Sequence, residues 1–143
     1  MSGVERTLCI VKPDAVARHV TGKILAMVED AGLRIVAARM TRLTSEQAKA
    51  FYYVHREKGF FARLVQFMTS GPILAAVLEG PDAIDRWRRL MGPTNSVQAP
   101  KGTVRGEFGT DIEKNAVHGS DGQETARAEV TFFFSEADLC GRD

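Results

Sequence analysis

Ile73-Leu74-Ala75-Ala76-Val77-Leu78 is an uninterrupted apolar run, and it decides the fold class. A run of this length after Gly71-Pro72 is typical of a strand buried on both faces of a sheet. Two further strands are predicted upstream, one from Arg6 to Val11 that Pro13 stops, and one from Arg34 to Met40. The sequence therefore predicts a sheet in which the run at 73–78 is a central strand.

Helices with one apolar face are predicted between and after these strands. Gly22 to Ala31 has apolar residues at helical spacing, with Gly32 as its stop. Thr44, with Gln47 at the capping-box position, predicts a helix through about Tyr53. Two more helices are indicated by apolar stripes. The first carries Phe60, Phe61, Leu64, Val65 and Met68. The second is capped by Asp82, carries Ile84, Trp87 and Leu90 on one face, and ends at Gly92.

The last third of the chain is less regular. From Pro93 to about Asn115 there is little periodicity, so a long loop is predicted there. A short strand near Ala116–His118 and a helix from Asp121 follow. Without the extra helices the order is βαββαβ, which predicts an α+β, ferredoxin-like antiparallel sheet with helices on its faces. No repeat or linker is visible, so residues 1–143 are expected to form a single domain.

The stretch Asn115-Ala116-Val117-His118-Gly119-Ser120-Asp121 carries the strongest chemical signal. Ser120 and Gln123 match a Ser-x-x-Gln capping box, which predicts a helix start just after the histidine. The free N–H groups at such a helix start favour an anion such as phosphate. His118 is therefore a candidate for phosphate chemistry, although a surface histidine in a loop is an equally good interpretation of this stretch alone.

Composition narrows the class of protein. The 143 residues carry a net charge of +1 and a pI of about 7.8, whereas a strong nucleic-acid binder is usually more basic. Cys9 and Cys140 have no metal-type spacing, and Cys9 is expected to be a core thiol. No signal peptide and no apolar stretch of spanning length is apparent, so a cytoplasmic protein without a membrane partner is expected.

Familiar nucleotide-binding and metal-binding motifs are missing from the sequence. It has no Walker A loop, no GxGxxG after a strand, no protein-kinase set and no zinc cluster. Magnesium is still permitted, because Mg²⁺ commonly binds through substrate phosphates and keeps its waters. Three scattered cations suit phosphate, namely Lys12, Arg88 and Arg105, but each alone is more often a solvated surface residue.

These scattered residues fall on one known pattern. Asn115 with His118-Gly119-Ser120-Asp121 resembles the signature of the nucleoside diphosphate kinases. The resemblance extends over essentially the whole chain without a net change of length. Further matching segments are Glu5-Arg6-Thr7, Val11-Lys12-Pro13-Asp14, Phe51-Tyr52, Phe60-Phe61, Phe67-Met68-Thr69-Ser70-Gly71-Pro72, Val77-Leu78-Glu79-Gly80, Gly92-x-Thr94-Asn95 and Gly102-Thr103-Val104-Arg105.

The resemblance implies a ping-pong phosphoryl transfer between nucleoside tri- and diphosphates, with broad acceptance of bases and sugars. By this reading His118 is the nucleophile that becomes phosphohistidine, Glu129 orients its imidazole, and Ser120 supports Glu129. The resemblance further implies that Arg88, Thr94 and Arg105 bind the phosphates, with Mg²⁺ bridging them, and that Tyr52 and His55 lie around the transferred group. Lys12 and Asn115 are expected to contact the sugar hydroxyls and phosphate. Phe60 and Ile112 are expected to contact the two faces of the base.

The resemblance also implies a homo-oligomer, a tetramer or a hexamer built from dimers. Ser96 and Lys101 stand where many members have proline, and both lie in the long loop that makes subunit contacts in the family. Two alternatives remain from the residues. Lys58-Gly59-Phe60-Phe61 weakly resembles the start of an RNA-recognition motif, but the apolar spacing that follows is helical. The other alternative is a nucleotide-binding regulator that has lost activity.

Overall fold

A computed structural model describes residues 4–141, and its sheet has the predicted ferredoxin-like topology. Four strands run in the order β2-β3-β1-β4, and every neighbouring pair is antiparallel. The elements in chain order are β1 Glu5–Val11, α1 Pro13–Ala17, α2 Thr21–Asp30, β2 Arg34–Thr41, α3 Ser45–Phe51, α4 Phe61–Met68, β3 Ile73–Gly80, α5 Ala83–Met91, α6 Val104–Phe108, β4 Val117–Gly119 and α7 Gln123–Phe133.

Both faces of the sheet are covered by helices, which explains the apolar run at 73–78. All eight residues of β3 are buried. Alternate residues of β1 and β3 contribute to two separate cores, one against α1, α2 and α5 and the other against α3, α4 and α7. Trp87 has no exposed surface, as its place in the helical stripe predicted, and Cys9 is a buried thiol.

The predicted cap at Thr44 is confirmed in both directions. Its Oγ1 accepts from the backbone N–H of Gln47 at 3.1 Å, and Gln47 Oε1 accepts from the Thr44 N–H at 2.9 Å. The helix ends at Phe51 rather than near Tyr53, because the chain tightens into a 3₁₀ helix over Tyr53–His55.

One local prediction is extended by the structure and two are corrected. Pro13 does more than stop β1, because it is the first residue of α1, where a missing N–H costs nothing. Asp82 stands at the cap position of α5, but its side chain makes no cap bond. Glu5 Oε1 instead accepts from the N–H of Ile84 at 3.2 Å. The long loop at 93–115 contains the 3₁₀ helix Ser96–Gln98 and α6, whose short lengths hide their periodicity.

The capping box predicted at Ser120 is wrong. The helix begins at Gln123, and the cap position is held by Gly122, which has no side chain to cap it. The Ser120 hydroxyl is fully buried and has other partners, since it accepts from the N–H of Leu8 and donates to Glu129. His118 is consequently held by a strand beside the middle of α7, not by a loop at the start of that helix.

Across residues 4–141, no helix is both long enough and apolar enough to cross a membrane.

Candidate active site

His118 is placed by the pairing of β4 with β1. It lies opposite Ile10 in the antiparallel register, and its side chain is on the face of the sheet that packs against α3 and α7. Its Nε2 is 2.9 Å from Glu129 Oε1, and the two side chains are 17% and 15% exposed. The ring is therefore largely enclosed but still reachable from solvent.

The contact with Glu129 decides which ring nitrogen is free. An ionised carboxylate has no proton to donate, so Nε2 carries the proton in this contact and Nδ1 keeps its lone pair. Ser120 Oγ donates to the same oxygen of Glu129 at 2.7 Å, and this second bond holds the carboxylate in place. The three side chains thus orient an imidazole with one nucleophilic nitrogen exposed to a ligand.

A tight turn leads into the histidine strand. Ala116 has φ +73°, and the N–H of Val117 donates to the carbonyl of Asn115 at 2.8 Å, which closes a γ-turn of the rare, strained kind. Asp14 Oδ2 accepts from the Ala116 N–H at 3.1 Å, and the Lys12 N–H donates to the Ala116 carbonyl at 2.8 Å. Sequence reasoning gave Asp14 no role; the one available signal was its place directly after Lys12-Pro13.

Lys12 and Asn115 contact each other where β1 ends and just before β4 begins. Lys12 Nζ donates to Asn115 Oδ1 at 2.8 Å, and Asn115 Nδ2 donates to the carbonyls of Thr94 at 3.0 Å and Ile112 at 3.2 Å. Both Lys12 and Asn115 are buried. Burial lowers the pKa of Lys12 to about 8, with a smaller lowering from the Arg105 charge and an opposing effect of Asp14. Asn115 therefore links Lys12 to the segments that carry Thr94 and Ile112.

Arg105 is fixed by backbone carbonyls. Its guanidinium donates to Gly92 at 2.9 Å, to Val117 at 2.9 Å and, less closely, to Asn115 at 3.3 Å. Three of its five N–H groups are used in these bonds, which leaves two for a ligand. Burial first, and then the positive charge of Arg88, lowers the pKa of Arg105 to about 10. Two neighbouring guanidiniums, one buried and one exposed, form a natural site for an anion.

A row of rings runs outward from His118. The ring centroids are 6.3 Å apart from His118 to Tyr52, 6.5 Å from Tyr52 to His55, and 5.6 Å from His55 to Phe60. Within residues 4–141, the buried hydroxyl of Tyr52 and the buried Nδ1 of His55 have no hydrogen-bond partner. Burial raises the pKa of Tyr52, with the Glu129 charge adding to the effect, so its hydroxyl remains a proton donor. Phe51, which belongs to a matching segment but had no predicted role, packs edge-on with its ring centroid 5.5 Å from that of the imidazole.

Trp87 and Gly119 pack against each other on the face of β4 opposite to the His118 side chain. Trp87 Nε1 donates to the carbonyl of His118 at 3.2 Å. A Cβ on Gly119 would lie 2.7 Å from Trp87 Cδ1 and 2.6 Å from Met91 Cε, so the indole can approach only a glycine there. The glycine after the histidine is therefore required by packing.

The charged side chains of the site suit a phosphate ligand. Within residues 4–141, no group of three or more His, Cys, Asp or Glu side chains is arranged to hold a metal ion. The cations that the structure places beside the start of β4 are Lys12 and Arg105, which bond to Asn115 and Val117. These residues fit Mg²⁺ that arrives on nucleotide phosphates and keeps its other ligands as water.

The comparisons with known proteins agree with this geometry. The family model described as nucleoside diphosphate kinase matches residues 5–139. The chain is 57% identical over 139 residues to the nucleoside diphosphate kinase of Halorhodospira halophila, covering 97% of this chain and 99% of that one. It is 55% identical over 139 residues to the one from Nitrosococcus oceani, covering 97% of each.

Solved structures give the same result. The Aquifex aeolicus nucleoside diphosphate kinase superposes with a TM-score of 0.93 at 52% identity, covering 95% of this chain and 99% of that one. The Halobacterium salinarum enzyme, solved in complex with CDP, superposes with a TM-score of 0.93 at 41% identity, covering 97% and 93%. Fold, site and relatives together define a phosphotransferase that acts on nucleotides. The chain belongs to the nucleoside diphosphate kinase family.

Proposed function

We propose that this enzyme transfers the γ-phosphate of a nucleoside triphosphate to a nucleoside diphosphate in two steps through a phosphohistidine at His118. The observation that carries the proposal is the contact of His118 Nε2 with Glu129 Oε1 at 2.9 Å. It directs the Nε2 proton to the carboxylate and leaves Nδ1 as the nucleophile. Covalent catalysis of this kind lets one site serve both the donor and the acceptor nucleotide.

The second half-reaction reverses the first, with another nucleotide as the acceptor of the phosphoryl group. In the first, the Nδ1 lone pair forms a bond to the γ-phosphorus, and the bond from that phosphorus to the β–γ bridging oxygen breaks. The bond's electron pair leaves with the nucleoside diphosphate. In the second, a terminal β-phosphate oxygen of another diphosphate attacks the phosphorus, and the electron pair of the N–P bond returns to Nδ1. The protein mainly supplies alignment and charge neutralisation.

The surrounding residues divide into three sets. Arg88, Thr94 and Arg105 bind the phosphates, and the unpartnered Tyr52 hydroxyl and His55 Nδ1 face the transferred group. Mg²⁺, bound mainly through the nucleotide phosphates, neutralises part of their charge when present. The third set binds the nucleoside: Lys12 and Asn115 contact the sugar hydroxyls and phosphate, and Phe60 and Ile112 contact the base.

Stacking explains why the reaction would accept many nucleotides, because every base has an aromatic face. The Halobacterium salinarum relative bound to CDP supports a nucleotide of this kind as ligand here. We further propose that the protein balances nucleotide pools in the cytoplasm, as one domain over residues 1–143 that assembles into a homo-oligomer, a tetramer or a hexamer built from dimers. Light scattering distinguishes those two assemblies.

Brief incubation with Mg²⁺ and γ-labelled ATP tests the mechanism. We expect a labelled protein whose phosphate is lost in acid, stable in alkali, and discharged by adding GDP or CDP. His118→Ala should abolish the labelling. Retention of the label in His118→Ala would show that another residue carries the phosphate. RNA binding that weakens with salt, without any labelling of the unmodified protein, would instead favour the binding-module alternative.

A further inference from the structure

The two residues proposed to contact the base lie on separate parts of the chain that an ion pair joins. Arg63 Nε donates to Glu113 Oε2 at 2.8 Å, and its Nη2 lies 2.8 Å from the same oxygen. Arg63 is in α4, one helical turn after Phe60, and Glu113 directly follows Ile112. A pair 50 residues apart in sequence thus connects the Phe60 side of the base site with the Ile112 side.

The backbone of each base-contacting residue belongs to a hydrogen-bonded unit. The carbonyl of Phe60 accepts from the N–H of Leu64 at 2.9 Å, so the Phe60 backbone moves with α4. On the other side, Asp111 Oδ1 accepts from the N–H groups of Glu113 at 2.9 Å and Lys114 at 2.7 Å, and Asn115 Nδ2 fixes the Ile112 carbonyl. Since each side is internally tied, a link between them acts on their separation and not on the shape of either.

We propose that the Arg63–Glu113 pair, called here the cleft bridge, sets the spacing between Phe60 and Ile112 and thereby strengthens the hold on the nucleotide base. This inference rests on the base contacts given under the proposed function. Phe60 and Ile112 are 40% and 58% exposed, which leaves apolar surface on both for a flat ring. Arg63 and Glu113 are positioning residues, because they act through Phe60 and Ile112.

The size of the effect follows from the exposure of the bridge. The two side chains are 68% and 50% exposed, so solvent screens their attraction. For a pair of this kind we expect KM for a nucleoside diphosphate to rise about two- to fivefold when the bridge is lost. The value of kcat should not change, because neither residue contacts the transferred phosphate. At about 1 M salt the difference from the unmodified protein should shrink, since the screening length falls to about 3 Å.

The opposite charges of the two partners separate a bridge from a general electrostatic effect. Arg63→Ala removes a positive charge and Glu113→Ala removes a negative one near an anionic substrate. A long-range field alone would raise KM in Arg63→Ala and lower it in Glu113→Ala. If the cleft bridge acts as proposed, both single variants raise KM. The KM of the double variant should then be no higher than the higher of the two single-variant values.

The experiment measures KM and kcat for ADP and GDP, and inhibition by tripolyphosphate, which has no base. Tripolyphosphate should inhibit the bridge variants and the unmodified protein equally. Arg89→Ala is a matched control, because the Arg89–Asp85 pair is 2.7 Å long, is also largely exposed and is confined to α5. It should leave KM unchanged.

Phe60→Ala separates failure of the inference from failure of the base site. If Phe60→Ala raises KM while the bridge variants do not, the cleft bridge is refuted and stacking stands. If Phe60→Ala has no effect on KM, the proposed base contact is wrong, and the cleft bridge, which depends on that contact, is refuted as well. Opposite shifts in the two single variants, or a change in kcat, would also overturn the inference.

Discussion

Raising the pH above about 8 is expected to weaken nucleotide capture, because Lys12 loses its charge there. Burial is the main cause, since it lowers the pKa of Lys12 from 10.5 to about 8. The nearby Arg105 charge lowers it further, and the Asp14 carboxylate partly offsets both effects. Arg105 has a pKa of about 10 and stays charged in this range. The alkaline limb of activity therefore reports on Lys12.

The same shift fixes the magnitude and the sign of a stability effect. The lowering of the Lys12 pKa from 10.5 to about 8 corresponds to a free-energy cost of about 3 kcal/mol for the charged amine. The folded protein binds fewer protons than the unfolded chain between pH 8 and 10.5. The contribution of Lys12 to the free energy of unfolding is therefore unfavourable below pH 8 and is relieved as the pH rises to 10.5. Bound phosphate opposes this shift by favouring the charged amine.

The assay is the pH dependence of kcat/KM and of kcat from pH 7 to about 9.5. We expect kcat/KM to fall about tenfold per pH unit above pH 8, while kcat falls only at higher pH because bound phosphate holds the proton. Lys12→Gln should have a lower kcat/KM at neutral pH and no limb near pH 8. Asp14→Asn keeps an acceptor for the Ala116 N–H but loses the charge, so its limb should move to lower pH. A flat kcat/KM in the unmodified protein, or the same limb in Lys12→Gln, would refute the reasoning.

Two further substitutions probe the way His118 is held. Glu129→Gln removes the charged acceptor at Nε2 and should lower the single-turnover rate of His118 phosphorylation about 10- to 100-fold, the value of one charge-assisted hydrogen bond. An unchanged rate would mean that the carboxylate does not orient the ring. Trp87→Phe removes the N–H that donates to the His118 carbonyl and shrinks a fully buried side chain, so denaturant titration should show a loss of about 1–3 kcal/mol. A midpoint equal to that of the unmodified protein would contradict this.

Local sequence was sufficient where a signal and its structure are close together in the chain. The apolar run at 73–78 predicted a strand covered on both faces, and the Thr44–Gln47 box predicted a helix start, because each depends on neighbouring residues. The short α6 was missed because five residues are too few to show a period. The turn at Ala116 was missed because alanine carries no signal for a positive φ.

The contact between His118 and Glu129 could not be predicted from residues that are neighbours in the sequence. They are eleven positions apart in sequence, and only the pairing of β4 with β1 and the packing of α7 on the sheet bring the ring to the carboxylate. The family resemblance implied this pair, whereas local sequence does not, because a glutamate well inside a helix is far from a residue that precedes the helix start.

Ser120 shows why a capping signal misled. A serine three residues before a glutamine suits a helix cap, but its hydroxyl is equally able to satisfy any nearby donor and acceptor. β4 ends at Gly119, opposite Cys9, so the next N–H of β1, that of Leu8, has no strand residue to pair with on that side. The Ser120 hydroxyl accepts this bond at 3.2 Å and donates a hydrogen bond of its own to Glu129 at 2.7 Å. A serine that completes the sheet edge in this way also positions the group that orients the histidine, and so it is not available to cap the helix.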